Sequence, residues 1–160
     1  MGQRLSNEYF LNVAFKEAFE GIRNNHGGPF GAVIVKDDII IGKGCNRVVT
    51  NNDPTAHAEI VAIREACNNI NSYDLSGYLL YSTCEPCPMC LSAVYWANIK
   101  QVIFGLSRYD AELMGFKDNH IYQEINLDQS KRKIKFRKVD HPAIKELMKE
   151  WNLKADRFQY

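Results

Sequence analysis

The stretch CEPCPMC, residues 84–90, constrains this chain more than any other part of it. It follows YLLYST, which reads as a strand, and runs into PMCLSAVYWAN, which reads as a helix. Pro86 and Pro88 flank Cys87, so the helix starts there and Cys87 and Cys90 project from its first turn at an i, i+3 spacing. The positive end of the helix dipole favours their thiolates, the ionisation state that a metal requires. A fold built on this segment has to bring a further ligand to the same point from elsewhere in the chain.

The strongest candidate is His57, in NNDPTAHAEIVAIREACNN. That segment reads as a helix with Asp53 as N-cap, Pro54 at the first helical position, and Ile60, Ile63 and Cys67 on one face. His57 then lies in a first turn, and two helix N-termini meet at one metal. Three protein ligands leave the fourth tetrahedral position to water, the arrangement of catalytic zinc, and bound zinc lowers the pKa of such a water to about 7. Glu59, two residues after His57, is turned away from the ligand direction and faces that water as a proton carrier. Two readings of Cys84 stay open: a fourth ligand closing a structural site, or a core residue at a strand end. An iron–sulfur run would want another cysteine four residues on, before a proline, where Val94 and Tyr95 stand.

Around these segments, strands and helices alternate. Leu11, Phe15, Ala18, Phe19 and Ile22 recur at helical spacing, giving an amphipathic helix over about 7–24 that HGGP ends. FGAVIVK and IIIGKGCN read as a hairpin turning at Asp37 and Asp38, with Asn46 delivered to the end of its second strand. QVIFG is a further strand, and LMGFKDNH a loop carrying Gly115 and Asp118. Residues 141–151 carry a helical stripe of Ile144, Leu147, Met148 and Trp151, and the last nine residues show no periodicity. The expected fold is one domain over 1–160, an α/β protein with a three-layer α/β/α sandwich and a mixed five-stranded central sheet.

With 160 residues, 46% of them hydrophobic, the chain is long enough to bury one core. The first thirty residues hold Arg4, Glu8, Lys16, Glu17 and Glu20 and no long apolar run, and no later stretch is long enough to span a bilayer, so a cytoplasmic protein is expected. In a reducing compartment its five cysteines point to metal or catalysis rather than to disulfides, Cys45 and Cys67 being simply buried. A formal charge of +1 gives no global attraction to nucleic acid. Locally, KRKIKFRK, residues 131–138, holds six basic residues and no acid; the alternation of Ile134 and Phe136 favours a lysine-guarded edge strand over a phosphate site.

HAE followed by PCPMC is similar to the H-x-E and P-C-x-x-C signature of the zinc-dependent nucleobase deaminases. GGPFGAVIVKDD, NDPTAHAEIVAIREAC, CEPCPMCLSAVYWA and GFKDNHIYQEI together resemble the bacterial guanine deaminases, a family with the cytidine deaminase fold, through most of residues 8–125. The resemblance implies hydrolytic deamination of guanine to xanthine and ammonia, with one zinc held by His57, Cys87 and Cys90 and a proton shuttle at Glu59. It implies that Asp118 is a second carboxylate helping the amine to leave, that Asn46 hydrogen bonds the purine, that Phe30 and Trp96 are aromatic walls, and that Tyr160 closes the pocket. It also implies a homodimer in which C-terminal segments, here 141–160, are exchanged, so that Tyr160 serves one subunit or the other. Lys117 and His120 bracket Asp118 and depart from the family's pattern, which leaves the substrate less fixed than the reaction.

Three other functions remain to be separated. A tRNA adenosine deaminase would share the fold, the zinc ligands and the asparagine, and would need a positive surface for an anticodon loop. A guanosine or other aminopurine deaminase would need space for ribose. A zinc module for protein contact would have four protein ligands and no open position.

Overall fold

The computed structural model describes residues 5–158. Its elements, in order, are α1 (Asn7–Arg23), β1 (Gly31–Lys36), β2 (Ile39–Cys45), α2 (Val48–Asn51), α3 (Ala58–Ile70), β3 (Leu79–Cys84), α4 (Pro88–Trp96), β4 (Gln101–Leu106), α5 (Arg108–Leu113), α6 (Asn119–Ile125), a 3-10 turn (Gln129–Lys131) and α7 (Pro142–Leu153). The chain divides into two compact units, Met1–Tyr122 and Gln123–Tyr160. No helix among the described residues is long and apolar enough to cross a membrane.

The first unit is an α/β sheet in the order β2-β1-β3-β4, with β1 antiparallel to both neighbours and β3 parallel to β4. Alternation along β1 sets its layers: Ala32 and Ile34 pack with α3 and α4, while Val33 and Val35 pack with Phe10 and Ala14 of α1. Tyr81 of β3 joins the α1 side, its hydroxyl donating to Asn7 Oδ1 at 2.9 Å. The hairpin turns at Asp37 and Asp38, both at positive φ (50° and 62°), the signature of a two-residue type I′ turn.

Backbone contact locks α3 onto β2. Ala58, Ala62 and Ala66 recur every fourth residue and are fully buried, and they face Gly42 and Gly44 of β2. A Cβ at Gly44 would collide with the Ala58 carbonyl, and one at Gly42 with the Ala62 carbonyl. Helix and strand can approach this closely because neither side carries bulk.

The sheet has four strands among the described residues, not the expected five. Residues 132–140 form no strand, and Ile134 is 75% exposed. Alternation defines two faces but supplies no edge to pair with, and the described part of Gln123–Tyr160 holds no other strand. The segment instead bonds to itself: Arg132 donates to the carbonyls of Leu127 and Ile125, and Lys135 to that of Arg132. In this second unit α7 forms as its stripe predicts, with Pro142 at its first position, and none of the described residues 123–158 is buried. The expected loop LMGFKDNH is non-helical over 114–118 and lies between two short helices, α5 and α6; α5 is started by a reciprocal capping box between Ser107 and Asp110.

Candidate active site

α3 begins later than Asp53 suggests. Asp53 Oδ1 accepts from the backbone N–H and hydroxyl of Thr55 (2.8 and 2.7 Å), so its side chain caps a tight turn instead of the helix. This turn carries the chain to His57, which is the N-cap residue, and puts Glu59 in the first turn. Cys87 is the N-cap of α4, Pro88 follows it, and Cys90 lies one turn in. The two helix N-termini therefore converge, and with them the positive ends of two helix dipoles.

His57 Nδ1 lies 3.5 Å from both Cys87 Sγ and Cys90 Sγ, and all three ligand atoms fall within 4.8 Å of one another. A tetrahedral zinc with bonds of ~2.1 Å to nitrogen and ~2.3 Å to sulfur needs nitrogen–sulfur separations of about 3.6 Å, so the site fits the ion. Hydrogen bonding from Cys90, then from His57, pulls the Cys87 thiol down to about 4, while Cys87 and burial push Cys90 up. The Cys87 thiolate also raises His57. These neighbours favour the thiolate of Cys87, the form in which a cysteine binds metal. Cys84 is outside this cluster: its Sγ donates to the Ser107 carbonyl at 3.6 Å, and burial pushes it up to about 11. A fourth protein ligand is absent among the described residues.

Beside the three ligands lies a cavity of about 280 Å³. His57, Glu59 and Cys87 form part of its wall, and Phe30, Asn46 and Asp118 line it as well. Glu59 is 6% exposed; its carboxylate lies 3.4 Å from Cys90 Sγ and accepts from Ser82 Oγ at 3.4 Å. Burial, reinforced by the charge of Cys87, raises its pKa above the usual carboxylate value. Asp118 sits just before α6 and is raised by burial as well. Its Oδ1 is buried and has no hydrogen-bond partner among the described residues, an acceptor left open beside the cavity.

Asn46, 5% exposed, follows the last residue of β2; its N–H donates to the Phe30 carbonyl (3.0 Å) and its Oδ1 accepts from Val48 N–H (3.2 Å). Phe30 meets Phe116 edge to face, centroids 4.7 Å apart at 74°. Phe116 is the wall that the sequence reading missed; its signal was the Gly-Phe pair two residues before Asp118. Trp96, expected as a wall, is not among the residues lining this cavity and is 65% exposed at the end of α4. Six residues beyond Cys90, it is about 240° around the helix from the metal face. Tyr160 lies outside the described residues. Lys117 also lines the cavity, and His120 Nδ1 pairs with the Lys117 carbonyl.

Residues 5–106 match the family described as "Cytidine and deoxycytidylate deaminase zinc-binding region". The chain is 46% identical over 156 residues to guanine deaminase of Bacillus subtilis (strain 168), covering 98% of this chain and 100% of that protein. The X-ray structure of the Bacillus subtilis guanine deaminase superposes with a TM-score of 0.93 over 98% of this chain and 99% of that one, at 46% identity. A solved guanine deaminase from Nitrosomonas europaea is 29% identical, with a TM-score of 0.68 over 72% of this chain and 68% of its own. A tRNA-specific adenosine deaminase of Buchnera aphidicola subsp. Schizaphis graminum (strain Sg) is 40% identical over 130 residues, 81% of this chain and 82% of its own. Two helix ends that bring His57, Cys87 and Cys90 to zinc-binding distance, within a sequence matched so fully, place this chain in the cytidine and deoxycytidylate deaminase zinc-binding family.

Proposed function

We propose that this protein removes the exocyclic amine of guanine by hydrolysis, releasing xanthine and ammonia. The observation that carries the reading is the pairing of two carboxylates of raised pKa, Glu59 and Asp118, in one cavity with the metal ligands, in a chain matched end to end by a guanine deaminase. Zinc held by His57, Cys87 and Cys90 would bring the pKa of a coordinated water near 7, making hydroxide available at neutral pH. Glu59 is the proton carrier: it takes the proton of the attacking water and passes it to the ring nitrogen beside C2 of the purine. Asp118 Oδ1 accepts a hydrogen bond from the amine, and the two carboxylates move protons so that nitrogen leaves as ammonia. Asn46 orients the base through its side-chain amide, and Phe30 with Phe116 walls the ring and excludes water.

The C-terminal unit has its own part in this proposal. Ile144, Leu147, Met148 and Trp151 of α7 are all exposed, a helix face with no core of its own. Exchange of residues 141–160 between the subunits of a homodimer covers that face and lets Tyr160, from its own or the other subunit, close the pocket. Deletion of 152–160 then leaves zinc bound while guanine turnover fails; full activity after deletion removes Tyr160 from the mechanism.

The direct test is conversion of free guanine by the zinc-loaded protein, with chromatography for xanthine and an ammonia assay. Xanthine formation that Glu59→Gln abolishes while zinc stays bound supports the whole reading. A zinc-loaded protein that makes no xanthine overturns guanine as substrate; turnover of guanosine or of an anticodon stem-loop would then name the substrate in its place.

A further inference from the structure

The loop between α1 and β1, HGGP, takes no part in the chemistry above, yet two of its glycines lie against the residues assigned to hold the base. A Cβ at Gly27 would run into Asn46 Oδ1, with Asn46 Cγ at 3.0 Å and the Asn46 carbonyl oxygen at 3.1 Å. A Cβ at Gly28 would come within 2.9 Å of Phe116 Cζ and 3.0 Å of Phe30 Cε2. Neither glycine has a positive φ; among the described glycines only Gly77 and Gly115 do. Backbone conformation therefore does not call for glycine at 27 and 28, and space does.

The loop is also firmly tied. His26 N–H donates to the Gly21 carbonyl (2.9 Å), the His26 carbonyl accepts from Val49 and Thr50 N–H (3.1 and 3.2 Å), and His26 Nδ1 pairs with Thr50 Oγ1 at 2.9 Å. Asn46 Oδ1 is thus caught between the Cα of Gly27 and the Val48 N–H. Turning the amide over would set its NH2 against the N–H of Val48, donor against donor.

We infer that Gly27 and Gly28 are specificity-determining positioning residues: Gly27 fixes the Asn46 amide so that it donates to an acceptor atom on the base, and Gly28 sets the spacing of the Phe30–Phe116 wall. The inference rests on the proposed role of Asn46 in binding the purine. A base that presents a ring N–H at that position meets a second donor and is left unpaired, which is how a polar site rejects a near-isostere.

The test measures guanine affinity by calorimetry in the zinc-loaded Glu59→Gln protein, where binding is not followed by turnover. Adding Gly27→Ala is expected to weaken guanine about tenfold or more without changing zinc content, because the atom displaced is the end of a side chain. In a background that also carries Asn46→Ala, the same change should weaken binding less than about twofold, since that atom is gone. An unchanged affinity, or an equal loss in both backgrounds, overturns the inference alone. If Asn46→Ala by itself leaves affinity intact, the role given to Asn46 falls and the inference falls with it. If guanine does not bind the Glu59→Gln protein at all, the proposed substrate is wrong and so is the inference. Should Gly27→Ala fail to fold, Gly28→Ala serves: a loss of affinity that Phe116→Ala reduces supports the inference, and parent-like affinity overturns it.

Discussion

The three cysteines of 84–90 have two different environments, and the difference predicts their behaviour. Cys87 and Cys90 share His57 as a neighbour at 3.5 Å, while Cys84 is held by the Ser107 carbonyl. Cys90→Ala should purify with less than about a tenth of one zinc per chain, and Cys84→Ala with the full complement, as read by atomic absorption. Phe116→Ala should weaken guanine binding by about 1 kcal/mol, roughly fivefold, because it removes one ring of an edge-to-face pair. His57, Glu59, Cys87 and Cys90 were legible in the sequence because metal geometry needs ligands at fixed offsets on helix starts, and such offsets survive in the one-dimensional string. Phe116 and Trp96 were not, because which aromatic lines a cavity depends on how the chain after β4 folds back. Asp118 was placed by resemblance; its buried, open oxygen is visible only in three dimensions.

At the scale of elements, the contact between α3 and β2 aims the site. Gly44→Val would drive two methyl groups into the Ala58 carbonyl beside His57 and Glu59; it should lower stability by about 2 kcal/mol in urea titration and cut turnover in the fraction that still folds. The capping box of α5 gives a pH prediction. Hydrogen bonds from Ser107, side chain and backbone, hold Asp110 below the usual carboxylate range. A depressed pKa stabilises above the unfolded value of about 3.9, and that stability is lost as pH falls through the folded one. The difference in melting temperature between the parent and Asp110→Ala should therefore be present at pH 6 and shrink below about pH 4. α1, the hairpin, α3 and α7 were readable from period and turn chemistry. α5 and α6, of 6 and 7 residues, are too short to display a period, and only the Ser-x-x-Asp start of α5 announced a helix. The fifth strand failed for the opposite reason: 131–138 has a strand's alternation and, among the described residues of its own unit, no strand to pair with.

Across the whole molecule, the described part of Gln123–Tyr160 buries no residue, so its order has to come from something beyond its own packing. With a second copy as that source, Leu147→Glu together with Met148→Glu should convert a dimer to monomer in light scattering, and leave zinc content unchanged. The sheet ends on β4, QVIFGL, a strand without a charge or a proline and with Phe104 and Leu106 exposed. Edges of that kind are where nascent chains stick to one another. A newly synthesised or refolding chain therefore runs a race between productive assembly and clumping, and since clumping rises more steeply with concentration, the yield of refolded protein falls as the starting solution is made denser.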